Sequence, residues 1–115
     1  MDVAERRRAY VQQLDEAATR IVEVLSRVDG IRRVSVFGSY ARGRRDLFTD
    51  LDLFVVWETD RPPLERLRFL YSIVDVPVDL DIICYTPAEL EARSDHPFIR
   101  QLRREEVVLH ESQPG

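Results

Sequence analysis

An α/β fold, with a small sheet of about four strands covered by helices, is predicted by three features of this 115-residue chain. Helical and strand periodicities alternate along it, strand-like runs end in Gly or Pro breaks, and no Ser/Gly linker or internal repeat divides it. One domain over 1–115 would bury roughly two-thirds of its unfolded surface, enough for a core without disulfides or structural metal.

Tyr10/Val11, Leu14, Ala18, Ile21, Leu25 and Val28 recur at spacings of three and four, predicting a long amphipathic helix over residues 3–29. Gly30 is placed to end it in a left-handed cap, and the rest of the fold occupies about 31–110. Ile31–Phe37 is the first strand, broken by Gly38, and Ser39–Gly43 suits one or two helical turns before a polar loop to Thr49. Leu51–Trp57 is the most strand-like run in the chain. Pro62 and Pro63 suit a helix start, with Leu64, Leu67, Leu70/Tyr71 and Val74 as its apolar stripe. Val76–Tyr85 reads as a third strand, and Thr86-Pro87-Ala88-Glu89 is a capping box with proline at the first helical position. A short helix over Pro97–Arg104 turns Phe98, Ile99 and Leu102 inward, and Val107–Leu109 closes the order α-β-α-β-α-β-α-α-β.

Composition removes several chemistries. One cysteine, Cys84, rules out a disulfide framework or Cys-rich zinc site within the chain, and His96 and His110 lie too far apart for an HExxH helix. All 17 basic residues are arginine, so neither a Walker A lysine nor a Schiff base is available. Four glycines cannot spell GxGxxG. The net charge of -4 argues against a long nucleic acid as partner, and the Arg6–Arg8, Arg32–Arg33, Arg42–Arg45 and Arg100–Arg104 groups read mostly as solvated helix surface. Neither a membrane-length apolar run nor a signal-peptide core is present, so a cytoplasmic location is expected.

What remains in quantity is carboxylate and arginine. Phe37-Gly38-Ser39 ends a strand just before a helical turn, where backbone N–H groups and a hydroxyl can receive a phosphate; as a bare signal, Gly-Ser after a strand is more often a plain turn. Asp50-Leu51-Asp52 heads a strand, and alternation puts both carboxylates on one face, roughly 6.5–7 Å apart at the backbone. Like charges so placed repel unless a cation lies between them; the competing reading is a solvent-facing strand edge. Asp79 and Asp81 repeat the pattern, and if the second and third strands are neighbours, one of them completes a three-carboxylate site. Oxygen-only ligation suits Mg2+ or Mn2+ rather than zinc. Trp57 reads as core or rim, Cys84 as a small buried hydrophobe, both histidines as structural, Asp46 as a loop charge, and Arg44 and Arg45 as parts of a mobile solvated loop.

Gly38-Ser39, ten residues, then Asp50-Leu51-Asp52-Leu53 resembles the signature of the DNA-polymerase-β-like nucleotidyltransferase superfamily. More narrowly, Val36-Phe37-Gly38-Ser39-Tyr40-Ala41-Arg42-Gly43 with Thr49-Asp50-Leu51-Asp52-Leu53 resembles the minimal nucleotidyltransferases, and Pro77–Ile82 with Tyr85–Leu90 resembles their third-strand segment. The resemblance spans about residues 20–110. It implies a four-stranded mixed sheet, a triphosphate held by Gly38 and Ser39 with Arg42 in reach, and two Mg2+ ions on Asp50, Asp52 and a third carboxylate. Asp81 fits the family spacing to Tyr85-Thr86-Pro87 best, with Asp79 the alternative. It also implies AMP transfer from ATP to an acceptor hydroxyl. The acceptor platform would be a HEPN-type helical toxin modified on a tyrosine by its antitoxin, or a second copy of the chain. Two rivals stand beside this reading: a binding-only antitoxin or assembly subunit, and an enzyme acting on a small molecule or RNA.

Overall fold

The computed structural model describes residues 2–113. Helix α1 (Val3–Leu25) opens on Asp2, whose carboxylate accepts the Glu5 N–H at 2.7 Å. It ends four residues before the expected boundary. Ser26, Val28, Asp29 and Gly30 are poor helix formers, and the chain passes through consecutive turns instead (Val28 N–H to the Leu25 carbonyl, Ile31 N–H to the Val28 carbonyl). Gly30 therefore does not cap α1 directly. It closes these turns, its carbonyl accepting the Glu58 N–H while the Trp57 indole N–H donates to the Asp29 carbonyl.

β1 (Ile31–Phe37), the single turn α2 (Gly38–Ala41), β2 (Leu51–Trp57) and α3 (Pro63–Ile73) follow, then β3 (Leu80–Tyr85), α4 (Pro87–Ala92), α5 (Pro97–Glu105) and β4 (Val107–Glu111). The sheet order is β3-β2-β1-β4, with β1 antiparallel to both β2 and β4 and β2 parallel to β3, a mixed four-stranded sheet as expected. β3 begins at Leu80, past Pro77, which has no N–H for a ladder; pairing opens with Leu51 N–H donating to the Asp79 carbonyl at 2.9 Å. β4 runs two residues past Leu109, where Arg33 pairs with Glu111.

β2 is central and buried on both faces, so its alternation sorts the core into two layers. Leu51, Leu53, Val55 and Trp57 pack with Val34 and Val36 under Leu14, Ala17, Ile21 and Leu25 of α1 and Leu70 of α3. Phe54 and Val56 lie on the other face with Leu102 of α5, Phe37, Ile83, Tyr85 and Leu90 of α4. Ile99 and Leu102 form the buried stripe of α5, whereas Phe98 is 43% exposed and touches Phe37 edge-on at 6.4 Å, correcting its inward assignment. Leu64 of α3 is likewise exposed, and Tyr71, also part-exposed, reaches the edge of β3, where its hydroxyl accepts the Ile82 N–H. Trp57 is core, and His96 caps α5 by accepting the Phe98 N–H on Nδ1. Among the described residues no helix is long and apolar enough to cross a membrane.

Candidate active site

Asp52 follows Leu51 in β2, so its side chain emerges on the Phe54/Val56 face. Because β2 and β3 are parallel and in register, Asp52 lies opposite Asp81, and Asp81 alternates onto the same face as Ile83 and Tyr85. Asp50 precedes β2 by one residue. Parallel pairing therefore joins residues 29 positions apart at the N-terminal end of two neighbouring strands. Asp79 precedes β3 by one residue, as Asp50 precedes β2, and its backbone carbonyl receives Leu51 N–H; the carboxylates whose charges act on Asp52 are Asp81 and Asp50.

The end of β1 reaches the same place, with Phe37 paired to Asp52. Gly38 then turns the chain into α2 at φ 73°, and a Cβ there would strike the Asp52 carboxylate, leaving glycine as the residue that fits. Ser39 is half-buried at the start of α2, its hydroxyl without a hydrogen-bond partner among the described residues. Arg42 Nη1 lies 3.4 Å from Glu105 of α5 in an exposed ion pair, which keeps the guanidinium at the rim of the site.

Electrostatics tie these groups together. Burial raises the Asp52 pKa above the ordinary carboxylate value, and the Asp81 and Asp50 charges raise it further, with the Arg42 charge only partly offsetting them. A half-buried carboxylate crowded by two others is stabilised by a cation, and an all-oxygen donor set fits a hard divalent ion. Among the described residues no three His, Cys, Asp or Glu side chains converge tightly enough to hold an ion as they stand.

The family model for polymerase beta nucleotidyltransferases matches residues 19–114, which contain this whole constellation. The chain belongs to that nucleotidyltransferase family. It is 27% identical over 96 residues to a candidate protein adenylyltransferase of Methanocaldococcus jannaschii, covering 83% of this chain and 95% of the relative. Among solved structures, a candidate minimal nucleotidyltransferase is 30% identical, with a TM-score of 0.56 over 84% of this chain and 93% of that one. A candidate nucleotidyltransferase from Sulfolobus solfataricus shares the fold at a TM-score of 0.58 and 20% identity, over 98% and 90% of the two chains. A chain of the MntA-HpeT toxin-antitoxin complex shares it at 0.55 and 21%, over 83% and 72%.

In this nucleotidyltransferase the loop ahead of Asp50 is more ordered than its composition suggests. Asp46 is not a free loop charge: Oδ1 accepts the Phe48 N–H at 2.8 Å and the Thr49 hydroxyl at 3.1 Å, and Oδ2 takes Arg44 Nε at 2.8 Å. These bonds, Arg44 the largest, hold the Asp46 carboxyl below its usual range. An aspartate bonding the N–H two residues on is an Asx turn, a signal present in Asp46-Leu47-Phe48. Arg45 does not hang in solvent either. Its guanidinium stacks 3.7 Å from the Tyr40 ring centroid and donates to the Tyr40 carbonyl at 2.8 Å. The Tyr40 phenol, buried and bonded to Asp15 at 2.6 Å, is pushed up to about 12. Cys84, partly buried on the α1 side of β3, is pushed up to about 11 by desolvation, which makes it a packing residue rather than a nucleophile.

Proposed function

We propose that this chain transfers AMP from ATP to an acceptor hydroxyl with release of pyrophosphate, and that the acceptor is a tyrosine of a HEPN-type helical toxin in the cytoplasm, which the transfer neutralises. The observation that carries the reading is the register of Asp52 against Asp81 beside the Gly38-Ser39 turn. The description of the Methanocaldococcus jannaschii relative and the fold shared with the MntA-HpeT chain support the choice of a protein acceptor.

In this reading Asp50, Asp52 and Asp81 hold two Mg2+ ions, with Mn2+ able to replace them. Bound there, the ions supply charge neutralisation at the triphosphate and an acceptor hydroxyl of lowered pKa. Gly38 and Ser39 bind the triphosphate through backbone N–H groups and the Ser39 hydroxyl, and Arg42 adds a guanidinium at the same rim. Asp81, the most exposed of the three carboxylates, takes the acceptor's proton in this reading.

The test is α-phosphate-labelled ATP with Mg2+ and host lysate, comparing wild type with Asp50→Ala/Asp52→Ala. A protein labelled by the wild type alone is the expected result. Label in RNA or a metabolite would replace the proposed acceptor. No label, with a partner still held equally by both forms, would make the chain a contact antitoxin.

A further inference from the structure

Two tyrosines reach from the helices of one face to the backbone segments that carry the outer two carboxylates. Tyr10 of α1 is half-buried, and its hydroxyl donates to the Thr49 carbonyl at 2.9 Å. Thr49 is fully buried and fixed on its other side by Asp46: its N–H donates to the Asp46 carbonyl at 3.2 Å and its hydroxyl accepts the Asp46 N–H at 3.0 Å. Leu51 N–H is in turn held by the Asp79 carbonyl. Asp50 thus sits between two immobilised peptide groups, and Tyr10 supplies the one link that comes from a helix.

Tyr71 of α3 does the same for Asp81. Its hydroxyl accepts the Ile82 N–H at 2.9 Å and lies 3.5 Å from the Leu80 carbonyl, so one phenol addresses the residues on both sides of Asp81. β3 is an edge strand, and Tyr71 is 44% exposed. Losing its hydroxyl therefore exposes Ile82 N–H to water instead of stranding it in a core, and the bond's effect is local order rather than global stability. Asp52 needs no such device, because pairing with Phe37 and contact with Gly38 already fix it.

We infer that Tyr10 and Tyr71 are positioning residues whose hydroxyls set the backbone beneath Asp50 and Asp81 and so order those carboxylates around the cation site. This rests on the nucleotidyl-transfer reading above. The helices of that face then steer the site as well as covering the sheet. Burial, together with the charges of Asp79 and Asp50, pushes the Tyr10 phenol up, so it remains a hydrogen-bond donor throughout the neutral range.

Phenylalanine at either position keeps the ring and removes the bond. The experiment measures Mn2+ binding by electron paramagnetic resonance in the presence of α,β-methylene-ATP, for wild type, Tyr10→Phe, Tyr71→Phe, the double variant and Asp52→Asn. Thermal melts are recorded alongside, and binding is read well below each variant's midpoint. Each phenylalanine should weaken Mn2+ binding about three- to tenfold, the size of one hydrogen bond, with the two factors multiplying in the double variant. Folded variants that bind Mn2+ as wild type does, while Asp52→Asn does not, overturn the positioning role and leave the reading of the site intact. An Asp52→Asn variant that binds Mn2+ undiminished takes both down.

Discussion

Gly38→Ala isolates the contact on which the site's geometry turns. Gly38 has φ 73° and Gly43 has φ 97°, so alanine at either position adopts a backbone conformation that costs about 1–2 kcal/mol. The surroundings differ. A Cβ at Gly43 meets nothing within 4 Å, whereas a Cβ at Gly38 strikes Asp52 Oδ2 and lies 3.2 Å from its Cγ. Restoring van der Waals contact moves the carboxylate by on the order of 1 Å, a displacement that costs roughly 100-fold in rate when it misplaces a catalytic group. The two variants should therefore lose similar stability, about 4–8 °C in melting temperature. Only Gly38→Ala should also lose roughly 100-fold in adenylyl transfer. Unfolding is followed by the fluorescence of Trp57, the chain's single and buried tryptophan, and transfer by α-phosphate label on the acceptor. Equal retention of transfer by the two alanine variants would refute the argument, because strain alone would then account for Gly38.

The folded pKa of Asp52 lies above its unfolded value, so ionised Asp52 burdens the fold and the burden lifts as pH falls through the carboxylate range. Asp52→Asn should thus melt higher than wild type at pH 7 while losing activity, and the difference should fade below about pH 4 in melts across that range. The opposite holds for Glu89, whose carboxyl is held low by Arg66 and the Thr86 N–H; its contribution is present at neutral pH and lost as pH falls through its lowered value. Arg66 is buried, donates to Glu89 Oε1 and to the Arg61 carbonyl, each at 2.6 Å, and fastens α3 to the start of α4. Arg66→Met should cost about 2–4 kcal/mol in urea unfolding and remove the Glu89 share of the acid sensitivity. Phe48 is 80% exposed, so Phe48→Ser should change unfolding free energy by less than about 0.5 kcal/mol, and any loss of transfer by that variant would mark the ring as an acceptor contact.

The parts of the site that lie within one strand or one turn were legible as sequence. Leu51–Trp57 carries its alternation openly, Thr86–Glu89 spells its cap, and Gly38-Ser39 marks the break between β1 and α2. The meeting of Asp52 and Asp81 could be read only conditionally, because no local pattern fixes which strands are neighbours or whether they run parallel. The strand expected from Val76 begins only at Leu80, past Pro77, whose nitrogen has no N–H for a ladder.

Polar links across the fold were the least visible. Glu106 looks like one more charge in an Arg-Arg-Glu-Glu surface run, yet its carboxylate is buried. It binds Arg33 at 3.1 Å, Arg103 at 3.0 Å and the Ser35 hydroxyl at 2.7 Å, fastening the entry of β4 to β1. Two of those three partners lie on β1, more than 70 residues away, and exist for Glu106 only once β4 lies beside that strand. The Tyr10–Thr49 bond has the same character, joining residues 39 apart that share no motif. Charge in a sequence reports where water is tolerated, whereas a buried carboxylate or phenol is identified by the partner that replaces water, and that partner is chosen by topology. The carboxylates of this site were visible because their strands advertise them; the Tyr10 and Tyr71 hydroxyls that reach the backbone beside two of them come from helices, and only the assembled fold brings the two together.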